Sequence, residues 1–277
     1  MKRLFLLFSL LLGVLSAWAY DFDVKTVDGI NYVFDKENKT AYASEVSSDY
    51  KGAVVILIHE TISVDGKAYT VTSLGNHCFY GCYELKSITI PNSVTSLGDN
   101  CFHYCSGLTS ITIPNSVKSL GEGCFYNCSG LTSITIPNSV KSLGKSCFAF
   151  CDGLESIVVE SGNTVYDSRE NCNAVIETAT NTMLSGCKNT TIPNSVTSLG
   201  DLCFGGCSGL TSITIPNSVT SLGRSCFSGC SGLTSITIPN SVTSLGDECF
   251  SLCSGLTSIT IPNSVTSLGY RCFAYCF

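Results

Sequence analysis

The sequence predicts a β-rich solenoid built of short strands and short helical turns, with a small β cap at its N-terminal end. Three observations predict it. The pair Cys-Phe recurs at Cys78, Cys101, Cys124, Cys147, Cys203, Cys226, Cys249 and Cys272, in steps of 23 residues apart from one step of 56 between Cys147 and Cys203. All seven prolines of the chain occupy one slot of this repeat: Pro91, Pro114, Pro137, Pro193, Pro216, Pro239 and Pro262. Within each copy an apolar–polar–apolar triplet such as Ile111-Thr112-Ile113 has the period of a strand with one buried face. A period of this length means stacked coils, because one unit cannot bury its apolar side without a neighbour.

The elements follow in chain order. Met1-Lys2-Arg3 is a basic head, Leu4 to Val14 an apolar run, and Ala17-Trp18-Ala19 a small-x-small site. Residues 1–19 therefore read as a secretory signal peptide cut after Ala19. No later apolar run is long enough to span a bilayer, so the mature chain is expected to carry no membrane span. Residues 20–70 lie outside the repeat phase. Asp28-Gly29 and Asp65-Gly66 are turn signals between β-type stretches at Ile30 to Phe34, Ala53 to Ile58 and Tyr69 to Val71. These are expected to form a β region that closes the first coil of an array spanning residues 71–277.

Inside the repeat, proline stops the first strand because it cannot donate to a ladder. Val117 and Leu120 mark a second short extended segment, which Gly121 ends. The spacing Cys124-Phe125-x-x-Cys128 suits one tight helical turn facing inward. The interior then becomes a set of ladders, with Phe79, Phe102, Phe125, Phe148, Phe204, Phe227, Phe250 and Phe273 as the aromatic one. Each such side chain contributes about 1.5–3 kcal/mol on burial. Residues 152–192 hold a longer variant unit. Ala174-Val175-Ile176 and Met183-Leu184 flank a polar turn at Thr178 to Thr182, so a hairpin is expected. Pairing Glu177 with Thr182 would set Cys172 opposite Cys187, the two cysteines outside the repeat slots and the candidates for a disulfide.

The pattern L-x-x-I-x-I-P-x-S-V-x-x-L-G-x-x-x-F-x-x-C, clearest in Leu108 to Cys128, resembles the BspA-like leucine-rich repeat family of secreted bacterial surface proteins. The resemblance covers residues 71–277. It implies a right-handed leucine-rich-repeat solenoid, export, and a role in adhesion or in binding host or partner-cell proteins. It carries no catalytic residues to transfer. One departure is that the slot before the repeat phenylalanine, usually small in the family, holds cysteine in all eight copies.

Chemistry is hard to find in this sequence. The sixteen repeat cysteines read as small apolar core residues, one choice copied eight times. Disulfides between rungs and a zinc site are the alternatives, opposed by orientation within a packed ladder and by the phenylalanine between the pairs. His59, His77 and His103 lie in different phases, with no group to orient a nucleophile. No paired carboxylate motif and no Gly-rich phosphate loop is present. The chain is therefore expected to be no enzyme and to need no cofactor or metal. Without Lys2 and Arg3 it carries 13 basic residues against 21 acidic, a net charge of −8, which argues against nucleic acid as a partner.

Two surfaces remain as candidates. On the strand side, Thr89, Thr112, Thr135, Thr214, Thr237 and Thr260 repeat unchanged; threonine suits a strand, and a flat hydroxyl array also suits a glycan, a repetitive protein or ice. Around the Cys-Phe turn the copies diverge, presenting His103, Tyr104, Tyr126, Phe150, Arg224 and Tyr270. Exposed tyrosines with mixed charges are common in protein recognition. The expected function is a secreted or cell-surface, non-enzymatic binding protein with a protein or glycan partner. The alternative is a structural surface or matrix component that binds copies of itself, with a homodimer through the uncapped C-terminal coil.

Overall fold

The computed structural model describes residues 24–47 and 51–276. The expected signal peptide and its cleavage after Ala19 lie outside the described residues. Strands β1 (Val24–Val27) and β2 (Ile30–Asp35) form an antiparallel hairpin, and β2 pairs with β3 (Thr40–Val46). A short β4 (Val55–Leu57) precedes the hairpin of β5 (Thr61–Val64) and β6 (Lys67–Leu74). Both hairpins turn on an Asp-Gly pair with positive φ at each residue: 48° and 76° at Asp28-Gly29, 51° and 74° at Asp65-Gly66. Tight two-residue turns of that kind match the twist of the strands they join.

The coils grow from this region by parallel pairing. β3 pairs in parallel with β6, which continues through the Ser-Leu steps Ser96-Leu97, Ser119-Leu120 and Ser142-Leu143. A second run begins at Thr182–Gly186 and continues through Ser198-Leu199, Ser221-Leu222, Ser244-Leu245 and Ser267-Leu268. On another side of the coil, the Ile-Thr-Ile segments pair in short parallel pieces: β4 with Ser87–Thr89, Ser133–Ile136 with Ser156–Val159, and Ser235–Thr237 with Ser258–Thr260.

The phenylalanines stack inside as the repeat phase requires, in two columns of four. Phe79, Phe102, Phe125 and Phe148 lie 5.3, 5.3 and 5.6 Å apart, and Phe204, Phe227, Phe250 and Phe273 lie 5.1, 5.3 and 5.6 Å apart, all within 10° of parallel. The break between the columns is the variant unit. Its strand Ala174–Glu177 is buried on both faces: Val175 joins the core of the first coils, while Ala174 and Ile176 join that of the last ones. The period of two that makes a strand half-buried elsewhere here divides one molecule between two cores.

Two expectations are corrected. The Cys-Phe segment is no helix. It is a series of i→i+3 turns, such as Tyr80 N–H to His77 O at 3.0 Å and Cys82 N–H to Phe79 O at 3.2 Å. In every copy the residue before the first cysteine and the residue three after it take positive φ, between 51° and 76°, from His77 and Gly81 to Arg271 and Tyr275. Such left-handed residues end a helix before it can propagate.

The hairpin of the variant unit forms with Glu177 opposite Thr182, as expected, but a bulge at Val175/Ile176 shifts the register. Ala174 then faces Gly186, so Cys172 does not stand opposite Cys187. Both thiols are free and buried, Cys172 in the second core and Cys187 in the first.

Candidate binding surface

The turn that carries the Cys-Phe pair is also the wall that carries the variable side chains. Its rungs from the Cys-Phe turn to the next coil are made by main chain. In the step from the second coil to the third, the amides of Asn100, Phe102 and Tyr104 donate to the carbonyls of Glu122, Cys124 and Tyr126 at 2.8, 2.8 and 2.9 Å. Alternate amides thus reach the next coil while those between them close the local turns. In this step the side chains two and three residues after the first cysteine, His103 and Tyr104, are left partly exposed.

The cysteines sit behind this wall. Cys78, Cys101, Cys124, Cys226 and Cys249 are at most 1% exposed, and burial pushes their thiols above the ordinary range. The second cysteine of a unit donates its S–H backwards to the phenylalanine carbonyl of the previous coil. Cys105 to Phe79, Cys128 to Phe102, Cys151 to Phe125, Cys230 to Phe204 and Cys253 to Phe227 span 3.0–3.2 Å. A thiol held this way is a packing group with a weak donor, and burial raises the pKa of Cys128, Cys230 and Cys253, which makes them poor nucleophiles. Among the described residues no group of three or more His, Cys, Asp or Glu side chains is arranged to hold a metal.

Four of the six variable residues named from the sequence come together. His103 lies 4.4 Å from the Tyr104 ring and 4.5 Å from that of Tyr126, and Tyr126 lies 5.1 Å from Phe150. Tyr80 extends the row, 5.2 Å from His103 and 5.8 Å from Tyr104, with His77 at 5.7 Å beyond it. The result is an aromatic ridge along the solenoid across four successive coils, each ring partly exposed. His103 Nδ1 is 2.7 Å from Asn100 Oδ1, which fixes the imidazole plane. Burial among the rings, and then the neighbouring His77, hold the His103 pKa below its ordinary value.

Beyond Phe150 the ridge stops on a glycine shelf. A Cβ on Gly206 would lie 2.5 Å from the Phe150 Cα, so nothing larger fits beneath the ring. Arg224 and Tyr270 stand apart, on later coils. Arg224 is 3.6 Å from Glu248, and Arg271 stacks 5.0 Å from the Tyr270 ring. Tyr80 and His77 were missed in the sequence, although Tyr80 occupies the same slot as His103 and Tyr126.

All six strand-side threonines, Thr89, Thr112, Thr135, Thr214, Thr237 and Thr260, are exposed. Their column is not uniform. Leu57, 51% exposed, stands beside Thr89, and Val158, 44% exposed, beside Thr135. Thr112 and Thr214 lie in segments without strand pairing.

Comparison with known proteins adds the following. Residues 65–176 and 175–277 match the family described as BspA type leucine-rich repeat region, in six copies. Among solved structures, the pneumococcal vaccine antigen PcpA is similar over 89% of this chain and 78% of its own, at 17% identity and a TM-score of 0.64. A leucine-rich cell surface protein from Faecalibacterium prausnitzii matches over 92% of both chains at 23% identity, with a TM-score of 0.47. A leucine-rich repeat protein from Eubacterium ventriosum matches over 90% of this chain and 93% of its own, at 19% identity and a TM-score of 0.49. At 17% identity the likeness to PcpA is one of fold. No curated protein matches the chain.

Proposed function

We infer that this chain, which belongs to the BspA-type leucine-rich repeat family, is a secreted or cell-surface binding protein without enzymatic activity, and that its aromatic ridge meets a partner protein or glycan. Export rests on the reading of residues 1–19 as a signal peptide. Among the described residues no helix is long and apolar enough to cross a membrane. The observation that carries the binding reading is the ridge itself. Tyr80, His103, Tyr104, Tyr126 and Phe150 hold one another in contact, partly exposed, on a main-chain wall that needs none of them to stand. Tyrosines fixed in this way offer large contact area at small entropic cost.

The test is a binding screen against extracellular-matrix proteins and glycans. It uses the wild-type chain, a Tyr80→Ser/Tyr104→Ser/Tyr126→Ser variant, and a Thr89→Arg/Thr112→Arg/Thr135→Arg variant. Loss of binding in the tyrosine variant alone supports the ridge. Loss in the threonine variant alone moves the contact to the strand side.

A second reading, a structural component that associates with copies of itself, is favoured by the apolar side chains that β4 exposes, Val55 at 64% and Leu57 at 51%. Light scattering separates the two readings: a monomer whose mass is independent of concentration excludes self-association.

A further inference from the structure

One step of the stack is built unlike the others, and it leaves a set of unused donors. Each of the other steps between successive Cys-Phe turns makes three main-chain rungs, from the residue before the cysteine, from the phenylalanine, and from the residue three after the cysteine. Between the coil of Cys147 and that of Cys203 only the last is made, Phe150 N–H to Gly205 O at 2.7 Å. The carbonyl of Cys203 is taken instead by the amide of Gly186, at 2.8 Å, because the variant strand enters here. The amides of Ser146 and Phe148, whose counterparts in the other steps reach the next coil, have no acceptor among the described residues. A main-chain amide left without an acceptor beside a lysine suits an anion.

The opened step is a cleft of about 140 Å³ between the two coils. Lys145 and Ser146 form one lip and Asp201 the other, with Leu143, Leu184 and Ser185 lining the space between. Among the described residues Lys145 has no ion-pair partner and the Ser185 hydroxyl no hydrogen-bond partner, and Ser185 is only 5% exposed. The Asp201 carboxylate accepts the Arg224 amide through its Oδ1 at 2.8 Å. The near side of the cleft therefore gathers main-chain donors, a hydroxyl and an unpaired ammonium beside two leucines.

We propose that this cleft binds a carboxylate next to an apolar group, as at the C-terminus of a polypeptide or on a small free acid. The carboxylate takes the amide of Ser146 and the charge of Lys145, and the adjoining apolar group rests on Leu143 and Leu184. Chain-terminus capture by backbone amides is an established mode of peptide recognition. The site is separate from the aromatic ridge and stands whether or not the ridge binds anything.

The test is titration of the isotope-labelled protein, followed by amide NMR, with three probes: acetate, N-acetyl-Gly-Leu with a free carboxylate, and the same dipeptide as its C-terminal amide. The expected result is saturable shifts of the Ser146 and Phe148 amides with the free dipeptide and at least a tenfold weaker response to its amide. Saturation by acetate at the same concentration as by the dipeptide assigns the site to small free acids, and a clear preference for the dipeptide assigns it to chain termini. Lys145→Gln should weaken the response at least tenfold. Lys141→Gln should leave it unchanged, because that ammonium is engaged with Asn138 O and Thr164 Oγ1. Equal shifts from acid and amide, or binding indifferent to Lys145→Gln in a folded protein, overturn the proposal.

Discussion

The amide of Gly186 donates to the carbonyl of Cys203 at 2.8 Å, and a Cβ built on Gly186 would lie 2.3 Å from Cε1 of the Phe204 ring. The variant strand can take the phenylalanine's place in the main-chain ladder only because this residue has no side chain. Gly186→Ala is expected to destabilise the protein by about 1–3 kcal/mol, the usual cost of overpacking a close-packed core. Urea denaturation would check it, and a stability within about 0.5 kcal/mol of wild type, as for a surface substitution, would show that the two cores have slack between them.

Phe125 lies between two stacked neighbours and is fully buried. Its truncation in Phe125→Ala should cost about 3–5 kcal/mol, from lost transfer energy and the cavity left behind. In a stack held by nearest neighbours, the loss should weaken the coils on either side more than distant ones, which hydrogen exchange of the Phe102 and Phe227 amides would resolve.

The thiols give a chemical readout. All eighteen cysteines are free, and seventeen are buried. A thiol-reactive reagent added to the native protein should label little beyond Cys276, and the full count should appear only in denaturant. Cys128→Ala removes both a buried sulfur and the S–H bond to Phe102 O at 3.1 Å, and should lower stability by about 1 kcal/mol. Fast labelling of many thiols in the native state would contradict the packing described.

The ridge is expected to respond to acid. The folded pKa of His103 lies below its ordinary value of 6.5, through burial and then through His77. The native state therefore binds fewer protons there than the unfolded chain, and stability is unaffected above that value but falls as pH drops through and below it. NMR titration should place the His103 midpoint below 6.5, and His77→Ala should raise it. A midpoint at or above 6.5 would show that the imidazole is not enclosed by the rings.

Much of the scaffold was legible in the sequence because the repeat states it many times. The phenylalanine slot, the Ser-Leu steps and the Asp-Gly turns each express one local rule, and each appears in the structure where that rule places it. The Cys-Phe turn was misread because its spacing is the same for a helical turn as for a chain that reverses twice through positive φ. Asn100, Gly123 and Asn127 hint at those positions, but Glu248, Leu252 and Arg271 occupy the same slots and conceal them. The pairing of Cys172 with Cys187 failed on a single bulged residue, which turns two expected neighbours into opposite cores. The ridge was half visible: its residues could be named from divergence among copies, but their contact across coils needed the register of the stack. The seam could not be read at all, since nothing in the variant unit says which hydrogen bonds its insertion displaces.

Where most coils are joined by three outer rungs and a continuous ring column, the junction at the variant unit keeps a single rung and no ring contact across it. Under tension along its length the molecule has a designated place to part. Residues up to about Cys151 and those from about Cys203 would separate as two intact blocks, each with its own four-ring column, before either block gave way.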